Sequence, residues 1–177
     1  MIVRRHEAAG TRSRALYSEC GAYRYLLTRD WGGGGRILYV LLNPSTATEE
    51  RNDPTVERCE RRARRAGYGG FAVANIFAFR ATDPGDLKRA EEPVGKRNDE
   101  VLLRAAAKAR RIVCGWGNHG AHLERGDAVL RLLRTHGGML WHLGLTSAGR
   151  PRHPLYVSYD RAFQPLTGDA SPHNHEN

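Results

Sequence analysis

The chain has 177 residues, about one domain on size alone and enough for a core of its own. Lys and Arg number 28 against 19 Asp and Glu, a formal charge of +9 that favours a polyanionic partner, nucleic acid first, or reflects only an arginine-rich composition. No stretch approaches the roughly 18 to 20 apolar residues that cross a bilayer, and the N-terminal segment lacks a signal-peptide core, so a soluble, cytoplasmic, monomeric protein with no membrane partner is expected. Cys20, Cys59 and Cys114 are odd in number and far apart, with no Cys-x-x-Cys pair. They suggest buried thiols, with neither a disulfide framework nor a metal site, and no cofactor is expected.

Residues 22–27 are aromatic and β-prone, and four glycines, Gly32 to Gly35, follow Trp31. These glycines precede a strand, whereas a phosphate-cradling P-loop follows one and carries a Lys-Ser/Thr pair. They are expected to form the turn of an N-terminal β-hairpin feeding the next strand.

That strand, residues 37–42, is apolar at both parities, as suits a strand covered on two faces, and it stops at Asn43-Pro44-Ser45-Thr46. Three later segments repeat the design. Residues 71–74 end in Asn75, residues 111–114 end in Gly115-Trp116-Gly117-Asn118-His119, and residues 139–143 run into a loop carrying His153. In open α/β sheets ligands bind beyond the carboxyl ends of such strands, so all four ends are expected to meet at one crevice.

Between the strands, Asp53 is placed to cap a helix that Pro54 begins, over residues 55–66. Its arginines, Arg58, Arg61, Arg62, Arg64 and Arg65, occupy more than one face and read as solvated surface or as phosphate contacts. Phe77 and Phe79 sit in a loop that either stacks on a flat ligand or packs into the core. Further helices are predicted over 98–108 and 124–136 from their apolar spacing. The expected architecture is a single α/β domain over residues 1–166: a three-layer sandwich with a central, mostly parallel four-stranded sheet flanked by helices, plus the hairpin. Residues 167–177, poor in apolar side chains, are expected to be a disordered tail in which His173 and His175 are mobile or else bind a metal.

The order of Leu42-Asn43-Pro44, Val73-Ala74-Asn75, Val113-Cys114-Gly115-Trp116-Gly117-Asn118-His119 and Arg152-His153-Pro154-Leu155 resembles the motif order of the uracil-DNA glycosylase superfamily, over residues 37–156. The whole chain also resembles a bacterial family known as a domain of unknown function, with Leu-Asn-Pro-Ser-Thr-Ala, Asn-Asp-Pro-Thr and Gly-Trp-Gly signatures; that likeness implies no activity. The first motif lacks the superfamily's leading Gly. Ser45 and Thr46 stand where the uracil-selective branch has a bulky aromatic that excludes 5-substituted pyrimidines.

The glycosylase resemblance implies a DNA glycosylase that flips a base out of the helix and hydrolyses its N-glycosidic bond without a metal, leaving an abasic site. It implies that Asn43 orients the attacking water. Asp53 is a candidate supplementary carboxylate as well as a helix cap. Asn75 has the donor and acceptor needed to read the Watson–Crick edge of a base, or ties down a loop. His153 donates to the departing base or touches phosphate. Arg150 and Arg152 would hold phosphates, Leu145 or Leu155 would wedge into the gap, Phe77 or Phe79 would stack on the base, and His119 would make a structural or backbone contact. The small Ser45 and Thr46 point to a bulky 5-substituted pyrimidine such as viral genomes carry, with uracil as the alternative, beside a non-catalytic nucleic-acid-binding module and an enzyme on free nucleotides.

Overall fold

The computed structural model describes residues 1–167, and the expected tail, with His173 and His175, lies outside them but for Thr167. The chain runs through β1 (Ile2–Ala8), β2 (Thr11–Tyr17), β3 (Arg24–Asp30), β4 (Arg36–Leu41), α1 (Pro54–Arg65), β5 (Gly70–Asn75) and α2 (Pro84–Arg89). It continues through α3 (Asn98–Ala106), β6 (Ala109–Gly115), α4 (Arg125–Thr135), β7 (Leu140–His142) and β8 (Gln164–Pro165). All strands join one eight-stranded sheet in the order β1-β2-β3-β5-β4-β6-β7-β8.

The sheet is mixed, which corrects the expected mostly parallel four-stranded one. Pairs β1–β2, β2–β3, β3–β5 and β7–β8 are antiparallel. Pairs β4–β5, β4–β6 and β6–β7 are parallel. The β-prone segment 22–27 leads into β3; the strands beyond the expected ones are β1, β2 and β8, of which β1 is an exposed, charged edge and β8 is two exposed residues.

The expected hairpin at Gly32 to Gly35 is also corrected. β5 lies between β3 and β4, so the glycine segment carries the chain across the end of β5, and the real hairpin is β1–β2, turning at Ala9-Gly10 where both residues have positive φ. The glycines serve close approach. A Cβ on Gly69 would stand 2.1 Å from the Gly33 carbonyl oxygen, while Trp31 and Gly32 donate their amides to the Gly69 carbonyl.

β4 shows why both of its parities are apolar. Leu38, Val40 and Leu42 pack into a core shared with Leu102 of α3 and with Val129, Leu130 and Leu133 of α4. Ile37, Tyr39 and Leu41 face the opposite core, where Val56, Cys59 and Ala63 of α1 cover them. Helices therefore lie on both faces of the sheet. α1 starts where Asp53 and Pro54 predict: Asp53 Oδ1 accepts the Val56 amide at 2.8 Å and Pro54 takes the first turn. Cys59 and Cys114 are buried as expected, but Cys20 lies on the surface.

Four arginines are internal, among them Arg62, which the sequence suggests is solvated surface or a phosphate contact. Arg24, Arg29, Arg62 and Arg125 are each less than a tenth exposed and donate to backbone carbonyls. Arg62 holds the 157–161 segment through the carbonyls of Ser158 at 2.8 Å and Arg161 at 3.0 Å. It also stacks with Arg58 and Arg65 about the Tyr159 ring. No helix among the described residues is long and apolar enough to cross a membrane.

Candidate functional site

The carboxyl ends of β4 and β6, with the loop after β7, surround a cavity of about 770 Å³. Its walls come from the segment after β4, the start of α1, the turn after β6 and the 146–156 loop, with Ala81, Thr82 and Pro84 closing one side. Of the residues singled out in the sequence, Asn43, Ser45, Thr46, Asp53, His119, Arg152, His153 and Leu155 line this one space.

Asn43 leaves the end of β4 with its amide fixed. Nδ2 donates to the carbonyls of Ala81 at 2.7 Å and Pro44 at 3.0 Å. Both partners are acceptors only, so the NH2 group must face them, and Oδ1 is left as an acceptor for a ligand or water. Two buried arginines of β3 set the loop behind it. Arg24 donates to the Ala47 carbonyl at 2.5 Å, and Arg29 donates to the Thr48 and Glu49 carbonyls and to Asn52 Oδ1. Burial pulls the Arg24 guanidinium down to about 10, opposed chiefly by the Asp53 charge, and it stays cationic at neutral pH. Asp53 spends one oxygen on the helix cap and offers the other to the Ala47 amide at 3.2 Å. It is a cap that also forms part of the cavity wall.

The opposite wall depends on glycine. A Cβ on Gly115 would stand 3.0 Å from Pro154 Cδ and 3.1 Å from the Arg152 carbonyl, and Gly117, at φ +68°, donates its amide to the Pro151 carbonyl at 2.7 Å. The 151–154 segment can thus lie directly on the end of β6, which brings His153 into the cavity. Trp116, buried between these glycines, occupies a slot left open by Gly120 and Gly126, where added methyl groups would meet its ring at 2.1 and 2.7 Å. Thr146 donates to Asn118 Oδ1 at 2.7 Å and ties the two loops together.

The Leu155 amide donates to His153 Nδ1 at 3.3 Å, which selects the tautomer carrying hydrogen on Nε2. Burial pushes the imidazole down to about 4, the Asp53 charge only partly opposing it. His153 is therefore a neutral N–H donor at physiological pH.

Other residues singled out in the sequence lie elsewhere. Asn75 does not line the cavity: the 76–81 segment continues beside residues 41–44, closes over the end of β5 and leaves Asn75 only 2% exposed. Its backbone carbonyl accepts from Asn98 Nδ2 at 2.8 Å. Phe77 takes the core alternative: it is fully buried, its ring centroid 5.6 Å from that of His122, and cannot stack on a ligand. Phe79 sits edge-on to Tyr23 and lines a neighbouring groove. Arg150 is neutralised by Asp127 at 2.7 Å, and the exposed Leu145 stands outside the cavity.

Tyr156 was not anticipated. It is 79% exposed at the cavity wall, its ring centroid 6.0 Å from that of His153, and it offers the aromatic face expected of Phe77. An aromatic directly after the His-Pro-Leu stretch was the available signal. No curated protein and no solved structure matches the chain. Residues 24–155, from the first residue of β3 to the cavity residue Leu155, match the model of a family described as Protein of unknown function (DUF1643), and the chain belongs to that family.

Proposed function

We propose that the protein is a DNA glycosylase that accepts an extruded pyrimidine nucleotide and hydrolyses its N-glycosidic bond. One observation carries this: Asn43 and His153, 110 residues apart in sequence, line one cavity at the ends of parallel strands, each with a backbone partner that fixes its free group. The motif likeness to the uracil-DNA glycosylase superfamily supports the same chemistry.

Hydrolysis places positive charge on the sugar and negative charge on the departing base. Asn43 Oδ1 accepts from the water that attacks C1′; the C1′–N bond breaks with its electron pair leaving on the base, and the water proton passes to solvent. The neutral His153 Nε2–H donates to the base oxygen where charge gathers, and Asp53 sets a negative charge beside the oxocarbenium ion. An amide is a poor base, so the rate comes from positioning and leaving-group stabilisation. Tyr156 supplies a stacking face for the extruded base.

Ser45 and Thr46 leave the wall beside Asn43 without a large ring, and a cavity of about 770 Å³ is far roomier than a bare pyrimidine requires. The favoured substrate is a 5-substituted, hydroxymethylated or glucosylated cytosine, as in foreign DNA; its removal would spare unmodified host bases and serve antiviral defence. Incubation with uracil-containing, hydroxymethylcytosine and glucosylated DNA, followed by alkali, should give strand breaks with the substituted cytosines. Breaks confined to uracil would make this a repair enzyme, and none with any of the three would refute base excision.

A further inference from the structure

A second, open groove of about 860 Å³ adjoins the cavity, and Ser45, Thr46, Ala81 and Thr82 line both. The shared rim is narrow: the Ser45 and Thr82 hydroxyls stand 3.3 Å apart in a hydrogen bond. Beyond it the groove presents Arg51, Arg80 and Arg89 with the hydroxyls of Ser45, Thr46, Thr48 and Thr82, against the single carboxylate of Asp86. Guanidinium groups among hydroxyls form a surface for phosphate oxygens.

Within the groove the three arginines differ in state, and Arg51 is the one left free. Arg61, Arg64, Arg97 and Arg104 each pair with a glutamate on their own helix or at its start, and Arg150 pairs with Asp127. Arg89 pairs with Asp86, and Arg80 donates to the Gly21 carbonyl at 3.2 Å. Arg51 is exposed, and among the described residues its guanidinium has no carboxylate or carbonyl partner. Its backbone is nonetheless held, its amide and carbonyl both bonded within the Thr48 turn. On the opposite wall Arg150 is neutralised by Asp127, and Arg152, which lines the cavity, donates Nε to the Leu145 carbonyl while its terminal nitrogens are unpaired by any carboxylate among the described residues.

We propose that the DNA strand carrying the extruded nucleotide leaves the cavity over the Ser45–Thr82 rim and lays its neighbouring phosphodiester in this groove, with Arg51 as the principal contact. This rests on the reading that a nucleotide of DNA enters the cavity, and it assigns this neighbouring phosphate to the loop after β4.

The test is equilibrium binding of a fluorescein-labelled DNA oligonucleotide to full-length protein across a salt series, for wild type, Arg51→Glu and Arg51→Lys. Arg51→Glu should weaken binding about tenfold at low salt and reduce the salt slope by about one, while Arg51→Lys retains most of both. Unchanged affinity and slope in Arg51→Glu would overturn the assignment, and so would a nucleoside monophosphate that competes as well as the oligonucleotide, since that marks a site for an isolated anion. Alkali-labile break formation is scored separately. Binding that depends on Arg51 without breaks keeps the groove and removes the glycosylase; breaks with Arg51→Glu at wild-type binding do the reverse.

Discussion

The two walls of the cavity are held in position by different physics. Behind Asn43, the segment after β4 is pinned by internal charge: Arg24 and Arg29 reach from β3 to the carbonyls of residues 47, 48 and 49, while Tyr17 donates to Glu49 at 2.9 Å. Around His153, the loop after β7 is held by a bridge between Leu145 and Pro151, by backbone hydrogen bonds and by glycines that let it lie on β6. The first wall has a fixed floor. The second carries the exposed residues Arg152 and Tyr156. On the proposed reading the water-positioning Asn43 stands on the first wall, where a misplacement of an ångström is costly, and the stacking face of Tyr156 stands on the second, which tolerates adjustment.

Removing Asn43 should have the largest effect. Asn43→Ala should lower base release by about a hundredfold to a thousandfold while leaving DNA affinity nearly unchanged, as measured by single-turnover kinetics beside binding. Equal loss of both would mean that Asn43 supports the wall and nothing more. Arg29→Met attacks the pinning itself. It strips three hydrogen bonds from the loop and should cost about 3 kcal/mol in urea unfolding, with activity falling through the loop it releases.

On the glycine-built wall, Gly126→Ala places a methyl group 2.7 Å from Trp116 Nε1 and 3.0 Å from the Gly120 carbonyl. Overpacking of this kind should cost about 1 to 3 kcal/mol, and denaturant midpoints within error of wild type would show that the Trp116 slot yields. The smallest effect concerns protons. His153 has its pKa lowered to about 4 by burial against an unfolded value near 6.5, so the unfolded chain takes up the proton first. Its contribution to stability is complete above about pH 6.5 and is lost as pH falls towards about 4. Thermal midpoints over that window should fall more for wild type than for His153→Phe, and parallel curves would mean that the imidazole is not shielded.

The parts of the site legible in the sequence are those where a local pattern has one physical meaning. An apolar run at both parities means two covered faces, so residues 37–42 read directly as the central strand with Asn43 at its end. Asp53-Pro54 means a capped helix start, and Asp53 is that cap. Asn75 looked like Asn43, a polar residue ending a buried strand, yet the chain closes over one and opens beside the other. Phe77 is interior and Tyr156 exposed for the same reason: exposure follows the path of distant segments, and ring chemistry does not encode it.

By itself the sequence determined the strands with two-sided burial, the capped helix and the two groups that reach the cavity, because hydrophobic period and capping act over a few residues. Tertiary structure alone decided that β5 inserts between β3 and β4, that Asn75 is interior, and that Arg24, Arg29, Arg62 and Arg125 are buried. The partners of those arginines are mostly backbone carbonyls, which every residue carries alike, so no side-chain pattern in the sequence distinguishes an internal guanidinium from one left free for phosphate.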